Sequence, residues 1–124
     1  MRENREPYTG SMNSTPYGGN FARVVLTTAA TPEEAERIAR AVVEERLAAC
    51  VTMVPSVRSI YRWEGKVEDA TETLLLIKTG AGQLAAVETR LRDLHSYQTP
   101  EFLVLEPTAG SAAYLEWMQV NLGR

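Results

Sequence analysis

The sequence predicts one α+β domain whose elements follow the order βαββαβ, with a further helix at the C-terminal end. Apolar, β-branched runs typical of strands occur at 22–28, 51–63 and 66–78. Over 35–47 and 84–94, apolar residues instead recur every three to four positions, as amphipathic helices require. Turn and capping residues separate these runs. The three observations together favour a small sheet covered by helices.

The first 20 residues differ in composition from the rest of the chain. They are rich in Asn, Ser, Thr, Gly and Pro, and they show neither the period of a strand nor that of a helix. We therefore predict a flexible tail at 1–20 and one folded domain at 21–124. The first strand of that domain is the run 22–28, which follows Gly-Gly-Asn.

A helix-start signal follows the first strand. Thr31 supplies an N-cap hydroxyl, Pro32 suits the first helical position, and the Glu34 carboxylate lies three residues past the cap. Apolar side chains at helical spacing then predict one buried face, formed by Ala35, Ile38, Ala39, Val42, Val43 and Leu47. We expect this face to pack on a sheet.

The two longest strand-like runs form a predicted hairpin. They are joined by Glu64-Gly65, where glycine supplies the positive φ that a two-residue turn requires. Pro55 has no N–H for the sheet, so we expect a bulge or a sheet edge there. The simplest register places two aromatic residues opposite charged ones, namely Tyr61 opposite Glu68 and Trp63 opposite Lys66.

The C-terminal part adds two helices and one strand. We predict a helix at 82–94, a strand at 102–105 that Pro107 ends, and a last helix that Ser111 caps. The whole order is the split βαβ, ferredoxin-like arrangement, with a long hairpin between the second and third strands and an extra C-terminal helix.

The length of the hairpin indicates that the chain does not act alone. Strands of this length extend about 43 Å, whereas a 100-residue domain has a radius of gyration of about 13 Å. A projecting arm that carries Ile60, Tyr61 and Trp63 exposes an apolar patch unless another subunit covers it. The unbroken apolar run 74–77 likewise predicts a strand that is buried on both faces. We therefore expect an oligomer rather than an isolated monomer.

Composition and motif content argue against several functional classes. Thirteen Lys and Arg against 16 Asp and Glu give a net charge of −3, which does not favour nucleic acid as a partner. No apolar run of about 18 residues is present to cross a membrane, and no apolar secretory segment is evident. One cysteine and one histidine cannot form CxxC or HExxH, and no Walker or GxSxG motif occurs. We predict a cytoplasmic protein that is not an enzyme.

Four polar side chains remain as candidates for chemistry. Cys50 is either a small buried hydrophobe or a thiolate ligand for a soft metal. His95 follows a predicted helix, where an imidazole either complements the helix C-terminus or ligates a divalent ion. Lys78 and Glu101 stand at strand ends and are candidates for a salt bridge.

Two long segments strongly resemble the CutA divalent-cation-tolerance proteins: ERLAACVTMVPSVRSIYRWEGKVEDATETLLLIKT and LHSYQTPEFLVLEPTAGSAAYLEWM. The most specific pieces are AACV, SIYxWEGK, LLxIKT, LHxYxxPE and YLxW, which occur in the family's order and spacing. The resemblance covers nearly all of 22–122. It implies a ferredoxin-like subunit in a homotrimer, similar in design to the PII signalling trimers.

The resemblance also implies a metal site. In some family members such a site is attributed to a cysteine in the first strand and two adjacent histidines after the second helix. The corresponding positions here are Thr27, Leu94 and His95, so one of the three ligands is present. Thr27 is a poor ligand for a soft metal. The expectation is therefore that copper or another divalent cation binds weakly, with His95 and Cys50 as the candidate ligands.

A second group of residues matches recurring polar and aromatic positions of the family. Its members are Tyr61, Trp63, Lys78, His95, Tyr97 and Glu101. The resemblance implies that they line a cleft between subunits. Such a cleft either receives a small anion or a metal, or only holds the trimer together.

Two functional hypotheses follow from the resemblance. The first is a cytoplasmic homotrimer that takes part in divalent-metal tolerance and binds copper weakly. The alternative is a PII-like signalling or interaction module that senses a small ligand at the subunit interface. An enzyme that uses Lys78, Glu101 and Tyr97 ranks last, because no activated nucleophile is evident.

Overall fold

The computed structural model describes residues 21–123, so the tail predicted at 1–20 lies outside the described residues. In chain order the elements are β1 (Ala22–Ala29), α1 (Pro32–Glu44), β2 (Cys50–Trp63), β3 (Lys66–Gly80), α2 (Leu84–Leu94), β4 (Leu103–Leu105) and α3 (Ala112–Val120). A 3-10 turn, Ala81–Gln83, leads into α2, which therefore begins later than the sequence predicted. The order confirms the predicted α+β fold with an extra C-terminal helix.

The four strands form one antiparallel sheet in the order β2-β3-β1-β4. Although α1 connects β1 directly to β2, β3 lies between those two strands. This is the split βαβ arrangement that defines ferredoxin-like domains. Both edges of the sheet, β2 and β4, have one side that pairs with no other strand of residues 21–123.

The hairpin extends beyond the sheet as a two-stranded arm. Residues 66–72 of β3 pair with β2 alone, whereas 73–80 pair with β1. The predicted pairs of Tyr61 with Glu68 and of Trp63 with Lys66 are confirmed. The expected irregularity near Pro55 is also present, as a register shift between Val54 and Val57 with Ser56 at φ 60°.

Helix α1 begins with the predicted cap. The Thr31 Oγ1 atom accepts a hydrogen bond from the Glu34 N–H at 3.1 Å, and the Glu34 carboxylate accepts one from the Ala30 N–H at 3.3 Å. The apolar stripes of α1 and α2 pack on one face of the sheet. The core they form contains Val25, Ala29, Ala35, Ile38, Ala39, Val42, Ala48, Leu75, Ile77, Val87 and Leu91.

The opposite face of the sheet is only partly covered. Helix α3 closes one end, where Leu115, Met118 and Leu122 bury Ala22 and Ala49. Elsewhere apolar side chains remain accessible, and Leu103 of β4 is 55% exposed. Of the run 74–77, Leu75 and Ile77 are fully buried beneath the helices, whereas the alternate residues on the other face are only partly buried. We expected this run of β3 to be buried on both faces. Within a single chain it is fully buried only on the face that the helices cover.

Helix length bears on the expectation that the chain does not cross a membrane. The longest described helix, α1, has 13 residues. A helix that crosses a bilayer needs about 20. Over residues 21–123, none of the helices combines the length and the hydrophobicity that a crossing requires.

Candidate functional site

A cavity of about 630 Å³ opens at the end of the sheet from which the arm projects. Its walls come from the arm, from β1 and from the loop 97–101 between α2 and β4. The lining residues are Thr28, Ser59, Ile60, Tyr61, Trp63, Glu72, Tyr97, Gln98, Thr99 and Glu101. A volume of this size is typical of sites that hold small molecules.

Glu72 is the buried acidic group of this cavity. It lies in β3 where the arm leaves the sheet, and it is 6% exposed. Its carboxylate accepts a hydrogen bond from Ser59 Oγ at 2.6 Å and another from Tyr97 Oη at 2.7 Å. Because both donors are neutral hydroxyls, they orient the carboxylate without cancelling its charge.

The surroundings of Glu72 raise the pKa values of two neighbouring acidic groups, the Tyr97 phenol and the Glu101 carboxyl. Burial raises the pKa of Tyr97 well above its usual range, and the hydrogen bond to Glu72 and the charge of Glu72 act in the same direction. The Tyr97 phenol therefore stays protonated and remains a donor. Burial, followed by the charge of Glu72, also raises the pKa of the Glu101 carboxyl above its ordinary value. Burial is the largest cause of both shifts, and the negative charge of Glu72 adds to each.

His95 fixes the start of the loop that closes the cavity. Its side chain is buried, its Nε2 atom donates to the Thr28 carbonyl oxygen at 2.6 Å, and its Nδ1 atom accepts from the Tyr97 N–H at 3.0 Å. Since a carbonyl oxygen only accepts, these bonds specify the neutral tautomer with the proton on Nε2. Both ring nitrogens are therefore engaged inside the chain.

Glu34 fixes the same loop from the N-terminus of α1. Its carboxylate accepts hydrogen bonds from the Ser96 N–H at 2.5 Å and from Ser96 Oγ at 3.0 Å. The carboxylate is also 3.5 Å from His95 Nδ1. The helix cap and the loop after α2 thus form one hydrogen-bonded unit, which sets the position of Tyr97 beside the arm.

Two aromatic rings form the wall on the arm. Tyr61 and Trp63 alternate along β2, so their side chains point to the same face of the arm. They line the cavity although they are 43% and 54% exposed, respectively. Rings that are both accessible and next to carboxylates can contact a cation through their faces.

The structure brings four of the six predicted cleft residues to this cavity: Tyr61, Trp63, Tyr97 and Glu101. His95 does not line it but holds its loop through the Tyr97 N–H. Lys78 lies near the other end of β3. Its ammonium group donates to Thr52 Oγ1 at 2.6 Å and is 3.5 Å from Cys50 Sγ. These contacts replace the pairing with Glu101 that the sequence suggested.

The two predicted metal ligands lie in different places. Cys50 pairs with Lys78, which in turn pairs with Val24, whereas His95 contacts Thr28, about 13 Å farther along β1. Within the part of the chain that the structure describes, no group of three or more His, Cys, Asp or Glu is arranged to hold a metal ion. His95 and Cys50 therefore do not belong to one site within the single chain.

Sequence reasoning missed the central residue of the cavity. Glu72 was not singled out, nor were Thr28 and Ser59, which also line it. The available signal was a carboxylate two residues before the apolar run 74–77, in a strand that was predicted to be buried on both faces. A buried carboxylate requires hydrogen-bond donors, and here Ser59 and Tyr97 provide them.

Comparison with known proteins identifies the family. The sequence profile described as "CutA1 divalent ion tolerance protein" matches residues 23–121. The chain belongs to the CutA1 family. It is 46% identical over 100 residues to the divalent-cation tolerance protein CutA of Thermus thermophilus, a match that covers 81% of this chain and 97% of that protein.

Solved CutA structures share the fold. CutA1 from Oryza sativa superposes with a TM-score of 0.82 at 35% identity, covering 89% of this chain and 99% of that one. CutA from Synechococcus elongatus, in a structure titled as complexed with a Bis-Tris molecule, superposes with a TM-score of 0.78 at 41% identity, covering 85% and 97%. The family assignment therefore agrees with the ferredoxin-like topology built above from register and sheet order.

Proposed function

We propose that this chain is the subunit of a cytoplasmic homotrimer that takes part in divalent-cation tolerance and binds a small ligand in the cavity next to the arm. The proposal is carried by one observation: the cavity places the buried Glu72 carboxylate beside accessible aromatic rings. A core built only for stability does not need a buried carboxylate that, among residues 21–123, has hydroxyl donors but no cationic partner. The proposed role is binding and not catalysis.

The homotrimer is supported by apolar surface that one chain leaves uncovered. The β4 residues Leu103, Val104 and Leu105 are all exposed at a sheet edge, and the aromatic arm projects from the other side of the sheet. Exposed apolar edges of this kind are normally covered by another chain. Light scattering at micromolar concentration is expected to give about three times the subunit mass of 13.7 kDa. A stable particle of one subunit mass would contradict the trimer.

Ligand binding at the cavity is supported by its size and by its loop, which hydrogen bonds already hold in place. A relative of known structure from Synechococcus elongatus, titled as a complex with Bis-Tris, adds a precedent for a small organic molecule on this fold. A ligand that binds only the folded protein raises the midpoint of thermal unfolding. A thermal-shift screen of small cations, anions and neutral polyols tests this part of the proposal. If no compound raised the unfolding midpoint of a protein confirmed as trimeric, this part of the proposal would be contradicted.

Copper binding by His95 and Cys50 has less support than ligand binding in the cavity has. Both nitrogens of His95 already form hydrogen bonds, and Cys50 Sγ lies beside Lys78 Nζ. A copper(II) titration of the wild-type protein and of His95→Gln tests the named ligand. We expect the two affinities to be equal within about threefold, and a tenfold loss in the variant would restore His95 as a ligand.

The alternative function is a PII-like module in which occupancy of the cavity is the signal. The same observation favours it, since a cavity of this size next to a buried carboxylate suits the recognition of a metabolite. Growth of the source organism in elevated copper separates the two roles. If tolerance requires the cavity, a strain carrying Glu72→Gln will grow like a deletion strain. The signalling role would be favoured if the variant protein bound no ligand while the strain that carries it tolerated copper normally.

The cellular compartment of the protein is tested independently of ligand binding. The cytoplasmic assignment is supported by a chain with a single cysteine, which forms no internal disulfide. Fractionation of the source cells is expected to recover the protein with cytoplasmic markers. Recovery with markers of another compartment would contradict the assignment without affecting the trimer or the ligand site.

A further inference from the structure

The charges around the cavity define the kind of ligand it suits. Two carboxylates, Glu72 and Glu101, line it, and among the described residues the lining contains no lysine or arginine. Glu72 is held by hydroxyl groups of Ser59 and Tyr97 rather than by a cation. A bound anion would be repelled by both carboxylates, whereas a cation supplies the missing opposite charge.

The aromatic wall adds a second preference for positive charge. Trp63 and Tyr61 present rings on the arm that are accessible in the single chain, opposite the loop that carries Tyr97. The face of an indole or phenol ring attracts an ammonium group, and tryptophan does so most strongly. Carboxylates and ring faces together form a site for a cation that has an organic body, because such a body also uses the apolar area of the rings.

The cavity fits a softer metal ion such as copper poorly, because its lining offers oxygen ligands and the ring nitrogens of His95 are bonded to Thr28 and Tyr97. Its volume of about 630 Å³ greatly exceeds that of a single ion. The remaining polar groups are the side chains of Thr28, Gln98 and Thr99, which can hydrogen-bond to hydroxyls on a ligand.

We propose that this cavity binds a small hydroxylated organic ammonium ion, with its charged nitrogen at the Glu72 and Glu101 carboxylates and its body against Trp63 and Tyr61. The inference rests on the proposed function, because it specifies the ligand class of the same cavity. It goes further by excluding anions and neutral polyols as the preferred ligands. It also assigns Glu72 as the residue that selects for charge and Trp63 as the residue that selects for an organic cation.

The test uses two probes of nearly identical shape. Tris(hydroxymethyl)aminomethane is a protonated ammonium ion at neutral pH, and 1,1,1-tris(hydroxymethyl)ethane replaces the ammonium group with a methyl group. Both are titrated calorimetrically into the full-length protein in phosphate buffer, with citrate and magnesium chloride as anionic and metal comparisons. We expect the ammonium probe to bind at least tenfold more tightly than the neutral triol, citrate or magnesium.

Variants assign the selectivity to named residues. Glu72→Gln is expected to weaken binding of the ammonium probe at least tenfold, and Trp63→Leu severalfold, with partial recovery in Trp63→Phe. Glu116→Gln is the matched control, because it removes the same charge from an exposed position on α3 and is expected to bind like the wild type. Far-ultraviolet circular dichroism and light scattering check that each variant is folded and has the wild-type oligomeric state.

The outcomes separate this inference from the proposed function. Equal binding of the ammonium ion and the triol, or preferred binding of citrate or magnesium, would overturn the ligand class while leaving the cavity as a binding site. Binding by Glu72→Gln that equals the wild type would overturn the role of Glu72. If none of the four probes bound to a folded trimer, both the ligand class and the cavity's binding role would be contradicted.

Discussion

The two faces of the sheet differ in how completely one chain covers them. On the helix face, Val25, Leu75 and Ile77 are fully buried beneath α1 and α2. On the opposite face, α3 covers one end only, and Leu103 at the β4 edge is 55% exposed. The two faces therefore contribute differently to the stability of one subunit. The helix face stabilises the subunit, while the open face and the arm are the surfaces that we propose for assembly and for the ligand.

The largest expected effect on stability belongs to the helix face. Leu75→Ala removes a fully buried side chain and leaves a cavity, so the free energy of unfolding should fall by about 2–5 kcal/mol. Val120→Ala, at an exposed position of α3, should change it by less than about 0.5 kcal/mol. Denaturant titration at one fixed subunit concentration measures both. Equal effects would contradict the role of the buried Leu75 side chain in stabilising the subunit.

The second prediction concerns the open face. Leu103→Asp places a charge on the β4 edge and should lower the mass measured by light scattering toward one subunit, because a buried unpaired charge opposes association. The circular dichroism spectrum should remain that of a folded domain. Leu103→Ile retains apolar surface and should assemble like the wild type. An unchanged mass in the aspartate variant would place the interface elsewhere.

The third prediction concerns the hydrogen bonds of Glu72. Tyr97→Phe removes one of its two donors and should lower the free energy of unfolding by about 1–3 kcal/mol. Tyr61→Phe also removes a phenol oxygen at the cavity, but within residues 21–123 that hydroxyl has no hydrogen bond to lose. The Tyr61 variant should therefore be nearly neutral in the same denaturant titration. A larger loss for Tyr61 than for Tyr97 would contradict the assigned network.

The raised pKa of Tyr97 predicts a loss of stability in alkali. The folded protein retains the phenol proton above the ordinary tyrosine pKa of 10.0, whereas the unfolded chain loses it there. The stabilisation is therefore fully present below that pH and is lost as the pH rises toward the folded value. Denaturant titrations at about pH 8 and about pH 11 should show a steeper loss for the wild type than for Tyr97→Phe. Parallel losses would contradict the shift.

The smallest effect is expected from a buried threonine. Thr27 lies on the helix face, and its hydroxyl has no hydrogen-bond partner among the described residues. Thr27→Val should raise the free energy of unfolding by about 1 kcal/mol, because it removes an unsatisfied polar group. Thr79 is equally buried, but its hydroxyl donates to the Leu47 carbonyl oxygen at 2.6 Å. Thr79→Val should therefore have the opposite sign in the same thermal and denaturant measurements.

Much of the fold was predictable because its signals are local. The cap at Thr31, the turn at Glu64-Gly65 and the irregularity after Pro55 each follow from the conformational limits of a few neighbouring residues. The bounds of α2 were less accurate, because Ala81–Gln83 adopts a 3-10 turn and the helix begins only at Leu84. The local spacing of apolar residues does not distinguish a 3-10 turn from the first turn of an α-helix.

The cavity was predictable only in part. Its aromatic and loop residues matched recurring family positions, whereas Glu72 resembled an ordinary polar residue of an exposed arm. Pairing of Lys78 with Glu101 was inferred from their places at strand ends. The register instead puts Lys78 beside Cys50 and Thr52. Side chains of opposite charge meet only if the pairing of distant strands brings them together.

The sequence by itself determined the order of helices and strands, the capping of α1 and the existence of a long β-arm, because these depend on interactions between residues close in the chain. The tertiary structure alone decided that Glu72 would be buried between Ser59 and Tyr97, and that His95 would use both ring nitrogens to hold the cavity loop. Such contacts join residues that lie far apart in the sequence. Their geometry exists only after the sheet register and the packing of α2 have fixed where each backbone segment lies.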